Sequence, residues 1–264
     1  MNSQFGQAEW IKEFFGHLGQ YTGTIFEAGA QRPDHISNAM CFLQSNWKAF
    51  LVEADIRHVQ AWQEANIANA RIFHKNINYT VDGLQLMLDQ CQLPTNLDVL
   101  FLDIDGAEYH LLKGMHKHRP KVVCVEYDNS YPLAIEYVPK QMRHSVESAQ
   151  ASSIATYKLM IQKGYTYLNS FFLDHIFIEN SFLSANKAKI SEKYNYGFEF
   201  FCEQAPEHLY NVLSVLLNQE THQASHGINF YQVKLQNLID NDLRSESSLY
   251  YGMLENLFLN IEPV

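Results

Sequence analysis

The sequence predicts a doubly wound α/β domain with a mostly parallel sheet, an antiparallel edge, and a helical C-terminal extension. Three observations lead there. Short, almost unbroken apolar runs alternate with amphipathic stretches through the first half of the chain, the rhythm of strand–helix–strand units. The runs lack the in–out alternation of a sheet with one wet face, so both faces should be covered. From about residue 185 onward only helical spacing remains.

Taken in order, residues 1–21 read as a lead helix. The strand candidates are "TIFEAG" (24–29), "AFLVEAD" (49–55), "RIFHK" (71–75), "LDVLFLD" (97–103) and "KVVCVEY" (121–127). Helical patterns fill 34–45, 56–67, 81–91 and 106–117 between them. "ASSIATYKLMIQKGYTYLNSFFLDHIFIENS" then reads as a helix ended by Gly164 and two closely spaced strands, an antiparallel edge pair. Together these bound a domain at 22–183. In the extension, 184–264, "EHLYNVLSVLLNQ", "INFYQVKLQNLIDN" and "SLYYGMLENLFLN" predict about three helices, expected to form a lid or a homodimer interface.

Composition narrows the class. The chain has 264 residues, 47% hydrophobic and 18% charged, enough to bury a core without staples. Its formal charge of −10 and the lack of a basic stripe argue against nucleic-acid binding. Cys41, Cys91, Cys124 and Cys202 are widely spaced, with no C-x-x-C pair, which suits a reducing compartment rather than a disulfide framework. No stretch has signal-peptide or membrane-span character, so a cytoplasmic protein is expected.

In a sheet of this kind, ligands bind outside the carboxyl ends of the strands. Glu27, Glu53, Asp103 and Glu126 each close or nearly close a strand candidate and should form one polar rim. In the first turn, "FEAGAQRPDHIS", Gly29 and Ala30 allow a tight bend beneath a ligand, with a helix starting near Pro33 or Asp34. A Gly-x-Gly-x-x-Gly cradle is absent and Glu27 would repel a phosphate, so a pyrophosphate is disfavoured. Glu27 suits an ammonium, and Glu53 lies where an acidic residue can hold both ribose hydroxyls. The pair describes S-adenosylmethionine better than a nicotinamide dinucleotide.

Five stretches, "TIFEAGAQRPDHIS", "NWKAFLVEAD", "TVDGLQLMLDQCQLPTNLDVLFLDIDGAEYHLLKGM", "KVVCVEYDNSYP" and "MIQKGYTYLNSFFLDHIFIENS", resemble the FkbM-type S-adenosylmethionine-dependent methyltransferases in order and spacing. "LDIDGAEYHLLKGM" is the most specific block. The resemblance covers about residues 22–182. It implies a Rossmann-like methyltransferase sheet, with Glu27, Gly29 and Ala30 at the methionine end of the cofactor and Glu53 at the ribose. It also implies a hydroxyl acceptor on a small molecule or glycan. The chain departs from the family's first motif with Glu27 for Asp, Gln31 for Asn and Pro33 for Gly.

Asp103 and Glu126 are the catalytic candidates. Asp103 could take the proton of an acceptor hydroxyl. Alternatively Asp103, Glu126 and the "YDN" residues Asp128 and Asn129 could hold Mg²⁺ through oxygen ligands. Asp105 reads as an N-cap and Glu108 as a first-turn carboxylate complementing the helix dipole. His110 reads as a satisfied surface residue, and "HKH" (116–118) as an exposed helix end. His35, His74 and the pair His222 and His226 are weaker candidates. Two rival functions stay open: a metal-dependent sugar-nucleotide transferase using Asp103 and Asp105, and a non-catalytic partner-binding protein that keeps the fold.

Overall fold

The computed structural model describes residues 3–77, 80–131, 133–140 and 150–204. The three helical stretches expected beyond residue 204, any dimer they form, and His222 and His226 lie outside the described residues.

Among the described residues seven strands form: β1 (Thr24–Ala28), β2 (Lys48–Glu53), β3 (Ala70–His74), β4 (Val99–Leu102), β5 (Val122–Glu126), β6 (Tyr165–Phe171) and β7 (Asp174–Glu179). They make one sheet in the order β3-β2-β1-β4-β5-β7-β6. β1 to β5 pair in parallel, whereas β7 runs antiparallel to both β5 and β6. The fold is therefore the expected mixed α/β sheet. Its antiparallel strand sits one in from the edge, because the β6–β7 hairpin inserts its second strand beside β5.

Among the described residues, helices α1 (Gln7–His17), α2 (Ala39–Leu43), α3 (Ile56–Ala65), α4 (Gly83–Gln90), α5 (Glu108–Gly114), α6 (Ser153–Gln162) and α7 (Asn180–Ser191) surround the sheet. The period-two geometry of a strand sends successive side chains to opposite faces. Phe26, Ala28, Leu100, Leu102, Val123 and Val125 accordingly pack beneath α4, α5 and α6. Ile25, Leu51, Val99, Phe101 and Cys124 pack against α1, α2 and α7. All four residues of β4 are buried, whereas β3, with a neighbour on one side only, is half-exposed. That is why "VLFL" reads as a continuous apolar run and "ARIFH" does not.

Several boundaries shift for physical reasons. The helix expected over 34–45 shrinks to α2. Asp34 is tied to the Arg32 guanidinium at 2.8 Å, and Ile36 is left-handed at φ 43°, so the chain cannot wind before Asn38. In the "HKH" segment, just past the end of α5, His116 and Lys117 are exposed as expected but His118 is not. His118 is buried, with Gln85 Nε2 and the Leu93 carbonyl oxygen on its two ring nitrogens at 2.9 and 3.3 Å. Residue 184 falls inside α7, which packs Leu183 and Ile190 into the sheet-covering layer. A further helical segment, 198–204, crosses to the opposite face and stacks Phe201 on Tyr157 of α6 at 4.2 Å. Cys41, Cys91, Cys124 and Cys202 are free thiols.

Candidate active site at the strand ends

The strand order reverses between β1 and β4, which opens a crevice at their carboxyl ends. The first turn is pressed into that crevice. Gly29 adopts φ +82°, and a Cβ there would stand 1.7 Å from the Asp103 carbonyl oxygen, so only glycine allows this approach. The Gly29 and Ala30 amides both donate to the Val52 carbonyl oxygen, at 3.0 and 3.3 Å. Ala30 itself is fully buried in the core on the α2 side. Gln31 is held from two directions. Its amide donates to Glu53 Oε2 at 2.8 Å, and its carbonyl accepts from Trp62 Nε1 at 2.9 Å.

A cavity of about 380 Å³ lies here, lined among others by Gly29, Gln31, Glu53, Asp103, Asp105 and Glu126. Three of the strand-end carboxylates expected to share a rim, Glu53, Asp103 and Glu126, thus do face one space. Glu53 also accepts the Asp55 amide at 2.8 Å through Oε1. Each of its oxygens keeps a lone pair for a ligand. A broader concavity of about 800 Å³ lies between α1 and α2, bordered by Lys12, His17 and Trp47. It meets no strand end.

Glu27 is placed differently from the other three. It is buried, and its carboxylate accepts the Asn38 and Ala39 amides at 2.9 and 3.0 Å, capping α2 from below. Burial pushes its carboxyl up to about 8, partly offset by those donors.

The β4–α5 turn is unusual. Asp105, Gly106 and Ala107 all have positive φ, at 57°, 128° and 73°. Two of these three, Asp105 and Ala107, carry side chains that avoid such a backbone unless something holds it. Glu108 is what holds it. Its Oε1 accepts the Ile104 and Gly106 amides at 3.1 and 2.9 Å, and the residue is only 2% exposed. Glu108 is thus a buried staple, and Asp105 is not the N-cap, a position taken by Ala107. His110 lies on another face, with Nε2 at 2.6 Å from the Pro139 carbonyl oxygen.

The turn brings Asp105 beside Asp103 and Glu126, each partly buried, with ligand oxygens within 4.8 Å of one another. Asn129, the expected third member, instead turns away and donates to the Phe172 carbonyl oxygen at 2.8 Å. Asp128 accepts the Ser130 amide at 3.0 Å. Asp174 opens β7 in register with Glu126, adding another buried carboxyl. Sequence reasoning missed it; its one signal was an acidic residue heading the apolar run "HIFI". Burial, then Asp105, pushes Asp103 up to about 6, while its hydrogen bond with Glu126 pulls the other way. Burial and the Asp103 charge raise Glu126 well above the usual carboxylate range. Crowded carboxyls that separate in this way leave one ionised beside one protonated.

His74 pairs with Glu53 in the β2–β3 register, but neither it nor His35 lines the cavity. His74 Nε2 lies 3.1 Å from the Ala54 carbonyl oxygen, and His35 pairs in a short bridge with Arg32. Tyr127 stacks on buried His175 at 3.6 Å.

No protein-family model matches the chain, so the FkbM-type resemblance stands on the quoted stretches alone. No curated protein sequence matches it either. Solved structures with similar architecture include a TehB-like SAM-dependent methyltransferase from Corynebacterium glutamicum, at 11% identity. The match covers 67% of this chain and 89% of that one, with a TM-score of 0.39. A SAM-dependent methyltransferase from Aquifex aeolicus is 12% identical over 64% of this chain and 87% of that one, with a TM-score of 0.41. The spermidine synthase from Thermotoga maritima is 14% identical over 73% and 66%, with a TM-score of 0.42. At these values the likeness assigns neither ligand nor reaction.

Proposed function

We propose that this chain is an S-adenosylmethionine-dependent methyltransferase of FkbM type that methylates a hydroxyl oxygen on a small molecule or glycan. The observation that carries the reading is the meeting, at the switch point of the sheet, of the Gly29 turn with the cavity-facing carboxylate of Glu53. The cavity volume falls within the roughly 300–1,000 Å³ usual for small-molecule and cofactor sites. Glu53 would hold the ribose hydroxyls, and Gly29 and Ala30 would pass beneath the methionine end. Glu27, through the loop it fixes, would shape the ammonium site. The cofactor supplies an electrophilic methyl group on a sulfonium.

On the acceptor side, Asp103 and Glu126 divide the proton work. With a pKa near 6, Asp103 is ionised at neutral pH, yet basic enough to accept the proton a hydroxyl gives up. Protonated Glu126 donates to it and keeps its carboxylate oriented. Most of the rate gain would come from aligning an oxygen with the methyl carbon rather than from a strong base.

Calorimetry with S-adenosylmethionine and its demethylated product tests the reading. Binding of both is expected, and binding of neither would overturn it. Glu53→Ala should weaken cofactor binding by about tenfold or more, since two hydrogen bonds to a charged group are lost. Asp103→Asn should spare cofactor affinity and lower turnover by about 10²–10⁴-fold, the usual range for a general base. Full turnover in that variant would remove Asp103 from the base role.

A further inference from the structure

We infer that Asp103, Asp105 and Glu126 form a binding site for one hard divalent cation of the Mg²⁺ or Mn²⁺ class. Among the described residues they are the one group of three ligand-type side chains whose donor atoms lie within 4.8 Å of one another. All the donors are carboxylate oxygens, which suits hard cations and disfavours zinc or copper. They arrive from three backbone positions, the end of β4, the following turn and the end of β5, so they converge rather than lie in a row. All three line the same cavity, which provides an entry path and room for water or substrate oxygens as further ligands.

The hydrogen bonding of these carboxylates gives a second observation. Glu126 Oε2 is buried and has no hydrogen-bond partner, and the same is true of Glu108 Oε2 just behind the turn. A buried carboxylate oxygen without a donor carries the full desolvation cost of the group. Glu126 lines the cavity together with Asp103 and Asp105, so a cation held there would partner this oxygen. The left-handed Asp105–Ala107 turn adds to the case. Glu108 accepts the amides on either side of Asp105, those of Ile104 and Gly106, and so braces the turn that carries this ligand. This set differs from the one the sequence suggested: Asp105 replaces Asn129, whose amide is committed to Phe172.

If the chain is the methyltransferase proposed above, a cation here would replace the proton that Glu126 shares with Asp103, hold the acceptor's oxygen and favour loss of its proton. Acceptors with two adjacent oxygens would then be preferred. That corollary rests on the proposed function, whereas the cation site does not.

The test is a titration of the full chain with Mn²⁺, without cofactor, following free Mn²⁺ by electron paramagnetic resonance. One Mn²⁺ per chain is expected, displaced by Mg²⁺. Asp105→Asn and Glu126→Gln should each weaken uptake by about tenfold or more, whereas Asn129→Ala should leave it unchanged. Thermal melts keep the variants interpretable: Mn²⁺ should raise the Tm of the parent chain and not that of folded Glu126→Gln. No uptake at millimolar Mn²⁺, or uptake unchanged in both carboxylate variants, would overturn the inference. Cofactor calorimetry reads the methyltransferase proposal separately, so either can fail without the other.

Discussion

Glu108 stands in the first turn of α5, where a carboxylate ordinarily complements the helix dipole from the surface. Here it is buried, and its Oε1 satisfies two amides of a left-handed turn. Two properties of one side chain can therefore be separated. Glu108→Ala leaves the Ile104 and Gly106 amides without an acceptor and should destabilise the fold by about 2–6 kcal/mol, at about 1–3 kcal/mol for each orphaned group. Glu108→Gln keeps an acceptor oxygen and removes a charge, and burial has pushed that carboxyl up to about 7. It should be neutral or stabilising at pH 8, as read by urea denaturation of the two variants side by side. At this scale Asp103, Glu126 and Glu53 were legible because a charge closing an apolar run is visible in the sequence. The roles of Asp105 and Glu108 were not, because three successive positive φ values depend on how the turn meets its neighbours.

At the scale of elements, strands were easier to place than helices. A strand buried on both faces writes itself as an apolar run, and β1, β2, β4 and β5 each fall within a residue or two of the expected positions. Helix α2 did not, because its start is decided by Glu27, eleven residues before Asn38 and on another element. The segment 198–204 makes the same point. It lies in what the sequence marks as an extension, yet Phe201 is buried against Tyr157 and Tyr167. Phe201→Ala should cost about 3–5 kcal/mol, the usual range for removing a buried aromatic ring. An effect under 1 kcal/mol in equilibrium unfolding would mean that this segment is an appendage after all.

For the whole molecule, the gathering of carboxyls at one end of the sheet has a consequence for pH. Burial is the largest cause in each case: Glu27 is pushed up to about 8, Glu108 to about 7 and Asp103 to about 6, with Glu126 and Asp174 raised well above the usual range. The folded chain therefore keeps protons that the unfolded chain releases above about pH 4. Stability from these groups is greatest below that pH and declines as the pH rises towards 8. The Tm should accordingly be higher at pH 6 than at pH 8.5, by scanning calorimetry, and Glu126→Gln should flatten the difference. A Tm that rises over this interval would mean that the carboxyls are not buried together.

The sequence by itself determined the layered α/β architecture, the order of its elements and most of the residues at its strand ends. Those features are local: apolar runs, turn residues and charges at fixed places along the chain. Tertiary structure alone decided which of the carboxylates share a space. Glu27 was taken up by the start of α2, Asn129 by the Phe172 carbonyl, and Asp105 was carried in by a turn that Glu108 braces. Partners such as these are set by backbone groups far apart in sequence, and a one-dimensional pattern carries no trace of the distance between them.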